Sequence, residues 1–157
     1  MAYMTASVAQ RRGDAPALTV GCFVAGDVAT MRRASACISG RPHLALPVVV
    51  LEHAHEALTA PPRCIPVLQV GEPGALVRFG AVSADAGALA GRCVTWAARA
   101  ALRGDVAAIV TAPLNKQALA AAGAPYSAFP GHTEMLQALA AEWASSTVQA
   151  MPVRMML

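Results

Sequence analysis

The chain has 157 residues, 56% of them hydrophobic and 13% charged, with a formal net charge of +3. That length supports one domain with a sizeable core, and the composition excludes a disordered chain. Arginines are scattered or merely paired (Arg11-Arg12, Arg32-Arg33) with no interleaved aromatics, which argues against a nucleic-acid-binding surface.

In chain order, residues 1–19 are weakly patterned and are expected to form a loose leader or a short helix, preceding a single α/β domain over residues 20–157. Cys22 to Ala25 is a short apolar run ending at Gly26-Asp27, which predicts a strand and a turn. Helical sequence follows from about Val28 to Ile38, with Gly40 and Pro42 as its stop. Pro47 to Leu51 and Ile65 to Val70 predict two more strands, with one or two helical turns between Glu52 and Leu58.

The strongest helix is expected to start at Ser83, an N-cap residue, with Asp85 in the first turn. Leu89, Cys93, Trp96 and Ala100 recur at helical spacing, Arg92, Arg99 and Arg103 fall opposite them, and Gly104 supplies the stop. Val106 to Val110 is apolar throughout and predicts a strand covered on both faces. A short helix is expected from Asn115 to Gly123. A longer one follows Pro130-Gly131, with Met135, Leu136, Leu139 and Trp143 on one face and Glu134, Gln137 and Ala141 on another. A last strand is expected at Val153 to Leu157. Strands alternating with helices give an α/β fold with a parallel or mixed sheet.

Four cysteines (Cys22, Cys37, Cys64, Cys93) lie far apart, without metal-ligand spacing. Reduced, mostly buried thiols in a cytoplasmic protein are expected. The longest apolar run, Leu44 to Leu51, contains a proline and is too short to span a membrane, and no credible cleavage site follows Arg11-Arg12.

Two motifs could carry chemistry. Thr111-Ala112-Pro113 ends the most strand-like segment, where open α/β sheets bind ligands, and Asn115 and Lys116 open the next helix. There a Lys ammonium and helix N–H groups could hold a phosphate or carboxylate. In Pro130-Gly131-His132-Thr133-Glu134, glycine allows close backbone approach, and an imidazole and a hydroxyl stand at a helix start. Singly, each motif has an ordinary reading: Thr and Asn are common helix caps, Lys116 a solvated residue, and His132 an exposed neighbour of an N-cap. One short helix apart, the two segments are expected to face one pocket. His53 and His55 alternate about acidic residues but have no third metal ligand at useful spacing, and they are expected to be solvated. Nothing supports a role for His43. No dinucleotide fingerprint, P-loop or nucleophile elbow is present.

The segment VAAIVTAPLNKQALAAAGAPYSAFPGHTEML resembles the central part of the PdxA family of 4-hydroxythreonine-4-phosphate dehydrogenases. The likeness extends upstream through CFVAGDVATMRRA and LPVVVLE and downstream to VRMML, so it covers most of the chain. The resemblance implies an isocitrate/isopropylmalate dehydrogenase-like mixed sheet flanked by helices. It also implies a homodimer and oxidation of a phosphorylated hydroxy acid with NAD or NADP and a divalent metal. In pyridoxine biosynthesis the substrate is 4-phosphooxy-L-threonine, whose oxidised product loses CO2. Substrate-binding roles carry over to His132 and Thr133, with Lys116 and Asn115 as additions from the adjoining motif. The leader lacks the family's opening Gly-Asp-Pro turn, and the metal-binding histidines and most of the cofactor site correspond to positions beyond Leu157. The expectation is therefore an incomplete domain, truncated at both ends and inactive in isolation. A dehydrogenase of 4-phosphorylated threonate or erythronate, and a non-catalytic phosphorylated-acid-binding remnant, are the alternatives.

Overall fold

A computed structural model of the chain describes residues 4–9, 20–39 and 45–147. Five strands, β1 (Met4–Ala9), β2 (Val20–Gly26), β3 (Val48–Leu51), β4 (Ile65–Gln69) and β5 (Ala108–Thr111), form one sheet in the order β3-β4-β2-β1-β5. Four helices accompany it: α1 (Val28–Ser39), α2 (Ala84–Arg103), α3 (Lys116–Ala121) and α4 (His132–Thr147). Short 3-10 turns lie at Ala54–Leu58 and Tyr126–Ala128. The expected strand at Val153 to Leu157, the helix stop at Gly40 and Pro42, and His43 lie outside the described residues.

The sheet is mixed. β4 runs parallel to both β2 and β3, whereas β1 lies between β2 and β5 and is antiparallel to each. Two antiparallel steps restore direction, so β5 points the same way as β2, β3 and β4. Asp27, Glu52, Val70 and Ala112 therefore all follow carboxyl ends on one edge of the sheet, the edge where open α/β sheets receive ligands.

Residues 4–9 correct the expectation of a loose leader or short helix. They form an inner strand, with Met4 opposite both Ala25 and Thr111. Local pattern missed it because its strand state comes from pairing with β2 and with the remote β5, not from its own residue alternation. β5 corrects a second expectation. Its exposure alternates and Val110 is 64% exposed, since β5 is an edge strand covered on one face only among the described residues.

Helix α2 matches its sequence signals closely. The Ser83 Oγ accepts from the Ala86 N–H at 3.3 Å, and Gly104 closes the helix in the left-handed region at φ 82°. Its buried stripe of Cys93, Val94, Ala97 and Ala100 packs with Phe23, Leu51, Leu68, Leu119 and Met135 in one aliphatic core. Phe23 and Trp96 add an edge-to-face pair with centroids 6.0 Å apart. In α4, Met135 is buried as its helical face predicts, whereas Trp143 is 40% exposed.

The cysteines correct a third expectation: only Cys93 is buried, and Cys22 and Cys37 are exposed. Cys22 follows from strand alternation, because the neighbouring Phe23 takes the core face of β2.

Two glycines in α2 position the next helix. A β-carbon on Gly87 would collide with the backbone carbonyl of Ala118, and one on Gly91 would meet the ring of Tyr126. Their bare backbone lets α3 and the turn after it lie against α2, and so fixes where Asn115 and Lys116 stand.

Candidate functional site

The loop from β5 to α3 begins at the sheet's carboxyl edge. Asn115 caps α3, its Oδ1 accepting from the Ala118 N–H at 2.9 Å. That is the ordinary capping role, and it commits the amide oxygen to the helix. Asn115 also lines a cavity of about 250 Å³, with Leu114, Ala118 and the loop residues Val77, Arg78 and Phe79. Lys116 is the first residue of α3 and its side chain is exposed.

The second motif stands beside it. Gly131 is buried and precedes α4, and its carbonyl accepts from the Met135 N–H at 3.3 Å. A β-carbon on Gly131 would lie 3.6 Å from Cε of Lys116 and 3.4 Å from Oε2 of Glu134. The TAPLNK and PGHTE segments thus meet at Gly131, with an ammonium stem and a carboxylate flanking bare backbone. His132 is half-buried and Thr133 exposed on the first turn of α4. The first turn of any helix presents N–H groups without intrahelical acceptors and the positive end of the helix dipole, both suited to an oxyanion. The four residues singled out in the sequence therefore fall on two adjoining helix starts, with Asn115 facing the cavity and Lys116 facing the Gly131 turn.

Asp27 carries an electrostatic feature that the motifs did not flag. It follows β2, is 3% exposed, and accepts from the Thr30 N–H at 2.7 Å and from Gln69 Nε2 at 3.3 Å. Burial alone would raise its pKa. Hydrogen bonds from the Thr30 side chain and backbone, from Gln69 and from the Gly74 backbone outweigh that, so the carboxyl titrates below its usual value of 3.8. The available signal was an acid directly after a buried strand with a threonine three residues on, a capping arrangement. Asp27 also borders a cavity of about 210 Å³ with Thr30, Glu72, Asp85 and Arg92.

Cys93 is no nucleophile, since burial pushes its thiol up to about 12. His53 and His55 are exposed, as expected, and their rings stack with centroids 5.4 Å apart. Among the described residues no three His, Cys, Asp or Glu side chains are grouped to hold a metal ion, so the described part does not fit a metal centre. Among those residues, too, no helix is long and apolar enough to cross a membrane.

Comparison with known proteins gives the chain's family. The profile of the family described as pyridoxal phosphate biosynthetic protein PdxA matches residues 19–157. D-threonate 4-phosphate dehydrogenase of Salmonella typhimurium is 45% identical over 128 residues, covering 80% of this chain and 35% of that protein. 4-Hydroxythreonine-4-phosphate dehydrogenase of Prosthecochloris aestuarii is 38% identical over 103 residues, 66% of this chain and 30% of that protein. The crystal structure of 4-hydroxythreonine-4-phosphate dehydrogenase from Klebsiella pneumoniae superposes with a TM-score of 0.58 at 39% identity, over 74% of this chain and 33% of that one. The chain spans about a third of the length of the curated relatives it matches. By profile, sequence identity and fold, the chain belongs to the PdxA family.

Proposed function

We propose that this segment forms a substrate-binding corner of a dehydrogenase acting on a 4-phosphorylated hydroxy acid. The observation that carries the reading is the meeting of Lys116 with the Gly131 turn and the start of α4. In this reading Lys116 supplies a compact positive charge, and His132, Thr133 and the first-turn N–H groups of α4 supply directional donors. Gly131 leaves room for an anionic oxygen to reach the backbone, and Asn115 holds α3 in place while lining the adjoining cavity.

The reaction removes a hydride from the hydroxyl-bearing carbon to a nicotinamide and releases the hydroxyl proton. The corner binds and orients; neither the proton acceptor nor the NAD or NADP site is assigned to a described residue. The divalent metal belongs to the proposal for the whole enzyme, as do the isocitrate/isopropylmalate dehydrogenase-like architecture, the homodimer and the cytoplasmic setting.

Two substrates share this chemistry. The Salmonella relative named for D-threonate 4-phosphate is 45% identical to this chain, whereas the two above that are named for 4-hydroxythreonine 4-phosphate are 38% and 39% identical. That difference favours the sugar-acid phosphate over 4-phosphooxy-L-threonine and its decarboxylation in pyridoxine biosynthesis. The test is a chimera in which residues 20–157 replace the matching segment of the Salmonella relative, assayed with both substrates. The expected result is turnover of D-threonate 4-phosphate, with His132→Ala or Lys116→Ala lowering kcat/KM by about tenfold or more. A folded chimera whose kcat/KM is unaffected by either change would sink the corner's role, and preference for 4-phosphooxy-L-threonine would reverse the substrate choice.

A further inference from the structure

Arg33 lies on α1, and its guanidinium is only partly accounted for. Nη1 donates to the carbonyl oxygen of Val77 at 2.7 Å, and the guanidinium carbon sits 4.2 Å from the centroid of the Phe79 ring. Nε and Nη2 are buried and have no hydrogen-bond partner. These two nitrogens form one edge of the planar group, the fork that meets two oxygens of a carboxylate or phosphate at once. Arginine cannot escape the cost of unpaired buried donors by losing its proton, because it stays charged in proteins.

The Phe79 ring that contacts this guanidinium belongs to an irregular segment. Residues 70–83, between β4 and α2, contain no helix or strand. Phe79 is 56% exposed although it stacks on Arg33, and the adjacent Gly80 sits at φ 75°, where a backbone turn is free of side-chain hindrance. Phe79 also lines the cavity of about 250 Å³ whose other walls include Arg78 and Asn115. Phe79 therefore touches the Arg33 guanidinium and also borders a cavity that carries a second arginine.

We propose that Arg33 is the receptor of a small-oxyanion site closed by Phe79. A carboxylate or phosphate group enters from the cavity, displaces the ring, and is taken by Nε and Nη2 together. The cation–π contact is exchanged for a two-point, charge-assisted pair, the stronger of the two interactions. The bond from Nη1 to Val77 remains and keeps the guanidinium in orientation while its open edge is filled. This site shares the cavity that Asn115 borders, but it does not depend on the substrate assigned to the α3–α4 corner.

The test titrates the whole chain with inorganic phosphate and with acetate, following the Arg33 Nε–H resonance by NMR and the heat of binding by calorimetry. The expected result is a saturable shift of that resonance, and the anion that produces it identifies a phosphate or a carboxylate as the group recognised. Arg33→Lys keeps the charge but loses the fork, and should bind about tenfold more weakly or worse. Phe79→Ala uncovers the fork and should bind at least as tightly as the unaltered chain. An Nε–H resonance unmoved by either anion overturns the proposal, as does a folded Arg33→Lys variant that binds like the original. Should that variant not fold, weaker binding by Phe79→Ala overturns it equally.

Discussion

Lys116 and Gly131 stand on different helix starts, yet a β-carbon on Gly131 would come within 3.6 Å of Cε of Lys116. That separation is ordinary van der Waals contact, so the glycine is not demanded by packing. Gly131→Ala should shift stability by less than about 1 kcal/mol. It should nevertheless weaken the binding of a phosphorylated acid, because the methyl occupies the approach to the backbone. Thermal melting with ligand titration separates the two effects. A variant that binds normally would show that ligand does not approach there.

Gly87 makes the opposite prediction. Its missing side chain is where the Ala118 carbonyl sits, so Gly87→Ala has no room and must push α3 away from α2. The expected cost is about 1–3 kcal/mol, despite the better helix propensity of alanine. Urea unfolding measures it, and a stabilised variant would contradict the packing described.

The Asp27 carboxyl titrates below its unfolded value of 3.8. Folding therefore favours the charged form, so its stabilising contribution is complete above that value and is lost as pH falls through the lower, folded pKa. Asp27→Asn keeps an acceptor for the Thr30 N–H and should cost about 1–2 kcal/mol at neutral pH. As pH falls through the lowered folded pKa, the difference between the two proteins should shrink. Paired unfolding curves across that range decide it, and a gap that widens on acidification would be inconsistent with a lowered pKa.

Thiol chemistry should divide the four cysteines. Cys22 and Cys37 are exposed and should be alkylated in the native protein at ordinary rates. Cys93 should react only after unfolding, since it is buried and its thiol is held neutral. Mass spectrometry after brief iodoacetamide treatment reads this directly, and early labelling of Cys93 would contradict the core assignment.

Much of this fold was legible because its signals are local. Ser83 and Gly104 bracket α2 through hydrogen bonding and left-handed backbone geometry that a few neighbouring residues determine. What was illegible depends on distant partners. Residues 4–9 carry no pattern that separates leader from strand, and their strand state comes from pairing with β2 and β5. An all-apolar run at residues 106–110 cannot report that β5 sits at the sheet's edge. In the candidate site, Lys116 and the glycine-histidine turn could be brought together from sequence because one short helix separates them. Arg33 could not, since its meaning depends on Val77 and Phe79 in a loop elsewhere.

The inner position of β1 has a kinetic consequence. Among the described strands, β5 joins the sheet through β1, its hydrogen-bonded neighbour, and the two are the first and the last strands in chain order. Closing that pair spends the loop entropy of nearly the whole intervening chain, which places it among the slow, late events of folding. The β3-β4-β2 portion rests on shorter connections and can form beforehand. The edge that carries Thr111, and with it the approach to Lys116, is thus completed only when β5 has found β1.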